Sequence, residues 1–408
     1  MPMPGMVRFT TPAVPPVAKE VLAGFPEPPG LYLHVPFCTT ICPFCPYNKV
    51  QYQADLAARY FEALNNEVDL YTSERPAPFG SVYIGGGTPT LCLDELAGIL
   101  ARLDTTGERA IEVLPNHMSE ATAHRLTEMG ITHVSVGAQS FDRRVLHYLQ
   151  RPNTLEMNHS ALDVAVGTFD CVDVDLIFDV GYQEPDVLMN DLRICFDAGV
   201  DQVSTYPLMR FGYTPFGKSS HDRTAEHKVL RAATNLAVEH GFERRSVWTF
   251  NRVDGPAYSS ITREFYLGLG AGSASYSGRM FTVNHFGLEP YIDTLAAGTL
   301  PIARVANLSP LQSAAYYLFW QFYTGTADLE RFHLLFGRQH ALSVAVRLLA
   351  APGWVRHSST GVQLQPSGYD RYHDLERWVT YHLIEPLWDE LMQEHKPATT
   401  PVAIGTSE

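Results

Sequence analysis

The sequence lacks three features that would mark a membrane, secreted or nucleic-acid-binding protein. No run of eighteen apolar residues occurs, so no membrane span is expected. The proline-rich first 29 residues lack the charged region and apolar core of a signal peptide. Lys and Arg number 30 against 44 Asp and Glu, and the net charge of −14 argues against a nucleic-acid backbone as a partner.

Cysteine is also scarce, with six residues in 408, and half of them lie in one short stretch. This usage suits a reducing compartment, and we expect a cytoplasmic protein. Cys92, Cys171 and Cys195 have no ligand spacing, and we interpret them as buried apolar residues.

The other three cysteines, Cys38, Cys42 and Cys45, follow a C-x3-C-x2-C pattern. Three thiolates can hold three irons of a [4Fe-4S] cluster and leave the fourth iron open. An open iron can bind the amine and carboxylate of a small molecule such as S-adenosylmethionine. A zinc site would need a fourth ligand, and the offset of His34 does not repeat a usual zinc spacing. A disulfide would leave one cysteine over.

Strand and helix patterns alternate about six times between Leu31 and His240, which predicts parallel β/α architecture. Residues that could take part in binding or catalysis come directly after several of the predicted strands. They are Cys38, Gly85 to Thr88, Glu112, Gln139, Asp175 and Tyr206. Active sites of β/α barrels lie at this C-terminal strand edge. We therefore predict a partial (β/α)6 TIM-like barrel, with a doubly wound open sheet as the alternative.

The alternation of strands and helices ends after the barrel. The sequence as a whole predicts five segments. These are an N-terminal arm (1–29), the barrel with the cluster (30–275), a connecting segment (276–306), a C-terminal domain (307–396) and a disordered tail (397–408). The C-terminal domain is expected to be mainly α-helical, with a helix, helix, ribbon order like that of a winged helix. Because the chain is acidic, we expect this domain to be a docking or lid domain that does not bind DNA.

A glycine run, Gly85-Gly86-Gly87-Thr88-Pro89, follows one of the predicted strands. Glycines let backbone N–H groups approach a charged ligand closely, although a plain glycine turn would have the same composition. Together with the cysteine stretch, this run resembles the signature of radical S-adenosylmethionine enzymes. The flank Tyr-x-His-Val-Pro-Phe-Cys at residues 32–38 resembles the subgroup built on oxygen-independent coproporphyrinogen III dehydrogenase.

Further motifs of that family follow in the same order along the chain, as Glu112-Val113-Leu114-Pro115, Ser135 to Phe141, Arg151 and Asp175-Leu176-Ile177. The resemblance runs from Leu31 to about Leu208, and more loosely through Gly268 to Gly272. It implies two molecules of S-adenosylmethionine. The first would touch Tyr32, Gly86, Glu112 and Ala274, and the second would touch Phe44, Gly87, Thr88, Gln139, Arg151, Asp175 and Met209. Each residue taken singly could also be a polar residue of the barrel rim.

Two departures from the family's pattern bear on the reaction. The cysteine stretch continues Pro46-Tyr47-Asn48, where the dehydrogenase typically has Gly-Cys-Asn and the heme-chaperone relatives have Asp-Phe. The family's usual Gly-Leu-Pro-Gly-Gln-Thr is replaced by the sequence of residues 179–184.

The end of the chain, Tyr372 to Glu376 and Tyr381 to Trp388, resembles class C radical methyltransferases and cyclopropanases and the anaerobic heme-opening methyltransferases, although an ordinary docking helix could share this pattern. The resemblance therefore implies methyl or methylene transfer to an sp2 carbon of a small-molecule substrate, either a natural product or a tetrapyrrole, with a flavodoxin- or ferredoxin-type electron donor. The alternatives are oxidative decarboxylation of porphyrinogen propionates and a non-enzymatic, heme-binding chaperone.

Overall fold

The computed structural model describes residues 7–74, 78–180, 185–218, 223–256, 263–338 and 341–393. The strands are β1 (Gly30–Val35), β2 (Phe37–Cys38), β3 (Val50–Gln51), β4 (Ser81–Gly86), β5 (Arg109–Val113), β6 (His133–Gln139), β7 (Cys171–Phe178), β8 (Gln202–Pro207), β9 (Phe242–Arg244), β10 (Thr249–Arg252), β11 (Tyr266–Leu269), β12 (Ala274–Tyr276), β13 (Met280–Asn284), β14 (Ile302–Asn307), β15 (Thr326–Asp328), β16 (Val355–His357) and β17 (Gly361–Leu364).

The α-helices are α1 (Ala18–Ala23), α2 (Ala54–Thr72), α3 (Leu93–Leu100), α4 (Glu120–Glu128), α5 (Arg143–Tyr148), α6 (Leu155–Ala165), α7 (Pro185–Ala198), α8 (Arg223–Glu239), α9 (Leu288–Ala296), α10 (Pro310–Tyr323), α11 (Leu329–Phe336), α12 (Ala341–Leu348), α13 (Pro366–Val379) and α14 (Glu385–Gln393). A π-helical segment, Thr380–Ile384, joins α13 to α14.

The main sheet has the order β14-β13-β12-β11-β1-β4-β5-β6-β7-β8-β10-β9 among the described residues. Its centre, from β11 to β8, is parallel, and antiparallel strands extend it on both sides. The predicted TIM-like α/β fold is confirmed, since parallel strands with intervening helices form a curved sheet whose two edge strands are β14 and β9.

The parallel strands bury their outward-facing side chains against the helices. Leu33 of β1 and Ile84 of β4 are fully buried, and so are Tyr60 and Leu64 on the inner face of α2. This burial against the helices explains the apolar residues that recur at alternate positions of the strands.

The inner face of the sheet is polar. Its lower half, which lies toward the N-terminal ends of the strands, is filled by buried side chains. Ser204 donates a hydrogen bond to Asp173 at 2.9 Å, and Asn251 donates one to Gln202 at 2.6 Å. All four side chains are buried, and burial raises the pKa of Asp173 far above its usual range. Because this network closes the lower interior, the space available to a ligand lies at the C-terminal ends of the strands.

Three segments differ from the sequence-based expectation. The predicted connecting segment 276–306 contains β13, α9 and most of β14, which extend the main sheet. Its pattern did contain a helical signal, because Leu288, Tyr291 and Leu295 are spaced for one helix face and are buried. The N-terminal arm contains α1 and pairs with the sheet through a bridge between Thr10 and Val305. The predicted tail, residues 397–408, lies outside the described residues.

The C-terminal region combines helices α10 to α14 with a small antiparallel sheet of order β15-β17-β16. The predicted ribbon is present in β16 and β17, and β15 adds a third strand that the sequence analysis missed. The last helical stretch is divided into α13 and α14 by the π-helical segment. Within the described ranges, no helix is both long and apolar enough to cross a bilayer.

Candidate active site

The cysteine stretch leaves the C-terminal end of β1 and folds back beside it. Cys38 ends the short strand β2, which pairs in parallel with β3. Phe37 is fully buried, and its ring lies 5.3 Å from that of Tyr60 on α2. The backbone N–H of Cys45 donates to the carbonyl of Cys42 at 3.3 Å. The loop is therefore anchored at its start and carries its three thiols at the barrel edge that the sequence predicts.

Asn48 fixes the other end of the loop. Its side-chain amide donates to the carbonyls of Ala271 at 3.0 Å and Phe286 at 2.8 Å. Its own carbonyl accepts from His34 Nε2 at 2.9 Å, so His34 Nδ1 is free to accept from the Tyr32 hydroxyl at 2.8 Å. Burial lowers the pKa of His34 to about 4, which keeps this connecting imidazole neutral.

Two hydrogen-bond donors point at the cysteine sulfurs. Thr88 Oγ1 lies 3.7 Å from Cys38 Sγ, and Arg151 Nη1 lies 3.4 Å from Cys42 Sγ. Burial raises the pKa of the Cys38 thiol to about 11, so binding a metal there must displace a proton. A donor and a cation beside the sulfurs would stabilise the negative charge of thiolate ligands.

This arrangement fits an iron–sulfur cluster better than a single ion. In the part of the chain that the structure describes, no group of three or more His, Cys, Asp or Glu side chains converges on one metal position. A cubane does not need such convergence, because each thiolate binds a different iron. Cys38, Cys42 and Cys45 could therefore hold a [4Fe-4S] cluster, and Thr88 and Arg151 would support two of its ligands.

The glycine run brings β4 close to the cysteine loop. Gly87 N donates to the carbonyl of Val35 and Thr88 N to that of Phe37, both at 2.7 Å. A Cβ at Gly87 would lie 2.6 Å from the Phe37 carbonyl oxygen, and Gly86 has a φ of +118°. Only glycine allows this approach without displacing the backbone. The run therefore positions Thr88 beside the cluster loop.

Glu112 lies across from the glycine run on β5. It accepts from the Tyr83 hydroxyl at 2.6 Å and from Gly86 N at 3.1 Å. Burial raises the pKa of Glu112 to about 7, and the nearby charge of Asp175 adds to the rise. Tyr83 was not predicted as a site residue, although its place in the β4 pattern indicates that it faces the barrel interior.

Asp175 on β7 accepts from Ser135 Oγ at 2.6 Å, and burial raises its pKa. Together with Glu112, it places two carboxylates inside the barrel below the cysteine loop. A carboxylate in this position can accept hydrogen bonds from ribose hydroxyls or from an ammonium group.

Arg151 is held by its neighbours at the same edge. Its Nη2 donates to the carbonyl of Gly137 at 2.6 Å, and its Nε donates to Asn153 at 3.2 Å. Gln139, at the end of β6, has a φ of +69°, a backbone conformation that non-glycine residues adopt only at some cost. The predicted residues Gln139 and Arg151 are thus neighbours, since a Cβ at Gly137 would approach both side chains within 3.5 Å.

The remaining predicted residues lie at different places around this centre. Tyr32 stacks on Tyr83 with ring centroids 5.9 Å apart, and the ring of Phe44 lies 6.4 Å from that of Phe216. Met209 follows β8 and is partly buried against the main core. Ala274 packs in a cluster that includes Leu391 of the last helix.

The upper interior is accessible to solvent. Tyr32, Glu112, Gln139, Asp175 and Tyr206 are only partly buried, although they lie on central strands. Tyr47 is 55% exposed despite its position between the cysteine loop and the C-terminal helices. These partly buried strand ends surround the space beside the three cysteines, which we call the cavity.

The last helices cover one side of this cavity. The ring of Trp388 on α14 lies 5.9 Å from that of Tyr47. The Tyr381 hydroxyl accepts from Arg210 N at 3.0 Å, and Glu385 accepts from Gly212 N at 2.6 Å, so the helices are attached to the loop after β8. The segment Tyr381 to Trp388 stands out in the sequence, but its contact with Tyr47 could not be predicted from the sequence.

Comparisons with known proteins agree with this geometry. Residues 32–192 match the family model described as the Radical SAM superfamily. The heme chaperone HemW of Mycobacterium tuberculosis is 30% identical over 319 residues, which cover 72% of this chain and 81% of that protein.

An oxygen-independent coproporphyrinogen III oxidase from Paracoccus denitrificans is 27% identical over 310 residues, 67% of this chain and 68% of that protein. Among solved structures, coproporphyrinogen III oxidase (HemN) of Escherichia coli, described as a radical SAM enzyme, matches with a TM-score of 0.75 and 20% identity over 88% of this chain and 91% of that one. This structural match supports the fold assignment.

Proposed function

Because the chain belongs to the HemN-like family of radical S-adenosylmethionine enzymes, we propose that it performs radical oxidation of a tetrapyrrole, of the coproporphyrinogen III oxidase type. The family's cofactors are a [4Fe-4S] cluster and S-adenosylmethionine, and the prediction of both is confirmed. Cys38, Cys42 and Cys45 would hold the cluster. When bound and reduced, it supplies the electron that cleaves S-adenosylmethionine to a hydrogen-abstracting 5′-deoxyadenosyl radical.

The contacts to S-adenosylmethionine are part of the proposal. Tyr32, Gly86 and Glu112 form one connected group, because Gly86 N donates to Glu112 and Tyr32 stacks on Tyr83, the partner of Glu112. This group suits the first molecule, with Ala274 at its margin. Thr88 and Arg151 contact sulfurs, and Gln139 lies beside Arg151. These residues suit the second molecule, with Phe44, Gly87, Asp175 and Met209 around them.

One observation carries the proposed chemistry: polar, only partly buried side chains at the ends of the central strands surround the space beside the three cysteines. A substrate must enter such a cavity for its C–H bond to meet a radical formed there, and the surrounding protein must limit access of water. The relatives described above include a heme chaperone and a coproporphyrinogen III oxidase, which supports a tetrapyrrole as the substrate.

The residues around the opening suit a large substrate with pyrrole rings and carboxylate side chains. Tyr47 and Trp388 offer aromatic faces. Arg210 lies on the loop after β8, where its guanidinium contacts the ring of Phe216 at 5.7 Å. In the proposed reaction, a propionate side chain loses a hydrogen atom, then carbon dioxide and one electron, which leaves a vinyl group. The electron passes to an external acceptor.

Methyl or methylene transfer, the first choice of the sequence analysis, is the second candidate. The C-terminal segment ending at Trp388 suggested it, and the loop continuation Pro46-Tyr47-Asn48 departs from the dehydrogenase pattern. They meet in space, because Tyr47 contacts Trp388. This contact favours a substrate pocket that differs from the dehydrogenase pattern. The flavodoxin- or ferredoxin-type electron donor stays a prediction, as does the absence of a nucleic-acid partner.

An anaerobic assay separates the candidates. The reconstituted protein is mixed with dithionite, S-adenosylmethionine and coproporphyrinogen III, and the nucleosides and tetrapyrroles are analysed. We expect 5′-deoxyadenosine, carbon dioxide and a vinyl-bearing product. S-adenosylhomocysteine together with 5′-deoxyadenosine would indicate methyl or methylene transfer instead. Intact S-adenosylmethionine with tightly bound heme would indicate a heme chaperone and would overturn the proposal.

A further inference from the structure

Lys49 lies at the end of the cysteine loop, shortly after Cys45, and its side chain contacts the loop directly. Its Nζ donates hydrogen bonds to the carbonyl of Cys45 at 2.5 Å and to that of Tyr47 at 3.3 Å. The Cys45 carbonyl and the Cys45 thiol belong to one residue. The ammonium group is therefore held within one residue's length of a predicted cluster ligand.

The backbone on both sides of Lys49 is fixed. Asn48, directly before it, is anchored through its side-chain amide to two backbone carbonyls outside the loop. Val50, directly after it, begins β3 and donates its N–H to the carbonyl of Pro36 at 2.7 Å. The side chain of Lys49 thus starts from a fixed point, and its hydrogen bonds direct it back over the cysteine loop.

The charge of Lys49 has no carboxylate partner in the described ranges, although Asp and Glu outnumber Lys and Arg in this chain. Glu112 accepts from the Tyr83 hydroxyl and Asp175 from the Ser135 hydroxyl, and neither carboxylate pairs with Lys49. Carbonyl oxygens solvate an ammonium group but do not neutralise it. Since Lys49 is partly buried, an anion bound at the loop would offset the cost of holding this charge there.

An iron–sulfur cluster at the three cysteines would be that anion. A [4Fe-4S] cluster with three thiolate ligands is negatively charged overall, and each electron that it accepts makes it more negative. The reduction potential of such a cluster depends on the net charge around it and on hydrogen bonds to its sulfurs. Burial raises the pKa of the Cys38 and Cys45 thiols, and the charge of Lys49 acts against this rise at both residues.

We propose that Lys49 raises the reduction potential of the cluster, because its ammonium group stabilises the additional negative charge of the reduced state. In this step an external low-potential reductant gives one electron to the oxidised cluster, and no covalent bond of the protein forms or breaks. Arg151 places a cation at Cys42, and Lys49 places another at Cys45. This role depends on the cluster at the three cysteines and not on the identity of the substrate.

The test measures the midpoint potential of the reconstituted full-length protein. An anaerobic redox titration without substrate is followed by electron paramagnetic resonance of the reduced cluster. Three variants separate the charge from the hydrogen bonds. Lys49→Arg keeps both, Lys49→Gln keeps a donor without the charge, and Lys49→Met removes both.

We expect the ratio of reduced to oxidised cluster at a fixed potential to fall about tenfold in Lys49→Gln and Lys49→Met, because a nearby positive charge is lost. A tenfold change corresponds to a shift of about 59 mV toward more negative potential. Lys49→Arg should stay close to the wild type. Iron and sulfide contents, measured in parallel, should be unchanged in Lys49→Gln, since its amide can still donate to the loop carbonyls.

Lys19→Gln is the matched control, because it removes an equal charge from an exposed position on α1. This helix approaches Ser277 through Gly24, at the end of the barrel strands opposite to the cysteine loop. Exposed charges at such a separation are screened by salt, so the midpoint potential of Lys19→Gln should equal that of the wild type.

Two results would overturn the role of Lys49. One is a wild-type potential in Lys49→Gln with loss of iron in Lys49→Met, which would show that Lys49 only holds the loop. The other is an unchanged potential in all three variants. Either result would leave the cluster and the proposed reaction intact. If the wild type assembled no cluster, the assignment of Cys38, Cys42 and Cys45 and the role of Lys49 would both be wrong.

Discussion

The barrel and the C-terminal helices contribute to the same cavity in different ways. On the barrel side, glycines and hydrogen-bonded polar groups hold the three cysteines, and each contact belongs to a recognisable motif. On the helical side, Trp388 approaches Tyr47 without a motif that names a partner. We infer that the barrel determines the radical chemistry and that the helices determine what is bound. The following predictions test this division.

Loss of a cluster ligand should have the largest effect. We expect Cys42→Ala to lose iron and to give no detectable cleavage of S-adenosylmethionine, because only three thiolates are available in the loop. Iron content, the visible spectrum and 5′-deoxyadenosine formation measure this. The matched control is Cys195→Ala, a buried cysteine on α7 that should retain both properties. A fully loaded and active Cys42→Ala protein would disprove the cluster assignment.

Replacing the cation beside Cys42 should have the next largest effect. Arg151→Met removes the donor to the sulfur and to the Gly137 carbonyl. We expect cofactor cleavage to fall about 10- to 100-fold, which is typical for the loss of a group supporting a metal ligand. The control Arg143→Gln breaks only an exposed ion pair with Glu156 and should leave the rate of cofactor cleavage unchanged. Near-normal activity of Arg151→Met would remove Arg151 from the site.

The close approach of β4 to the cysteine loop can be tested through stability. Gly87→Ala places a Cβ 2.6 Å from a backbone oxygen and should destabilise the fold by about 1–3 kcal/mol. The control Gly98→Ala lies in α3 with open space around the new Cβ, and it should stabilise by about 0.5–1 kcal/mol. Chemical denaturation of both variants gives the comparison. A neutral Gly87→Ala would mean that the loop can move away.

The smallest expected effect concerns the helical side of the cavity. Trp388→Ala removes the aromatic contact with Tyr47, and such pairs contribute about 0.5–1.5 kcal/mol beyond their buried area. We expect the KM for the tetrapyrrole to rise about two- to tenfold, with unchanged basal cleavage of S-adenosylmethionine. If basal cleavage fell as much as substrate affinity, the division between the two regions would not hold.

Much of the barrel could be predicted because its strands and helices have regular patterns. The alternating strand and helix patterns correspond to the elements from β1 to α8, and the strand ends carry Glu112, Gln139 and Asp175 at one edge as expected. The positions of these residues follow from the parallel topology, since every parallel strand ends at the same edge.

The parts that sequence reasoning missed depend on long-range contacts. The short strands β13 and β14 are held by pairing, including the bridge from Thr10 to Val305, which no local pattern encodes. The partners of Glu112 and His34 also come from other elements or from the far side of the loop.

The source of the abstracted hydrogen tests the central claim most directly. The reconstituted protein is given S-adenosylmethionine with a deuterated methyl group and unlabelled coproporphyrinogen III, and then the reverse combination with deuterated propionate side chains. We predict that 5′-deoxyadenosine gains deuterium only from the labelled tetrapyrrole, as oxidation of its side chain requires. Deuterium from the S-adenosylmethionine methyl group would contradict this account and would establish methyl or methylene transfer.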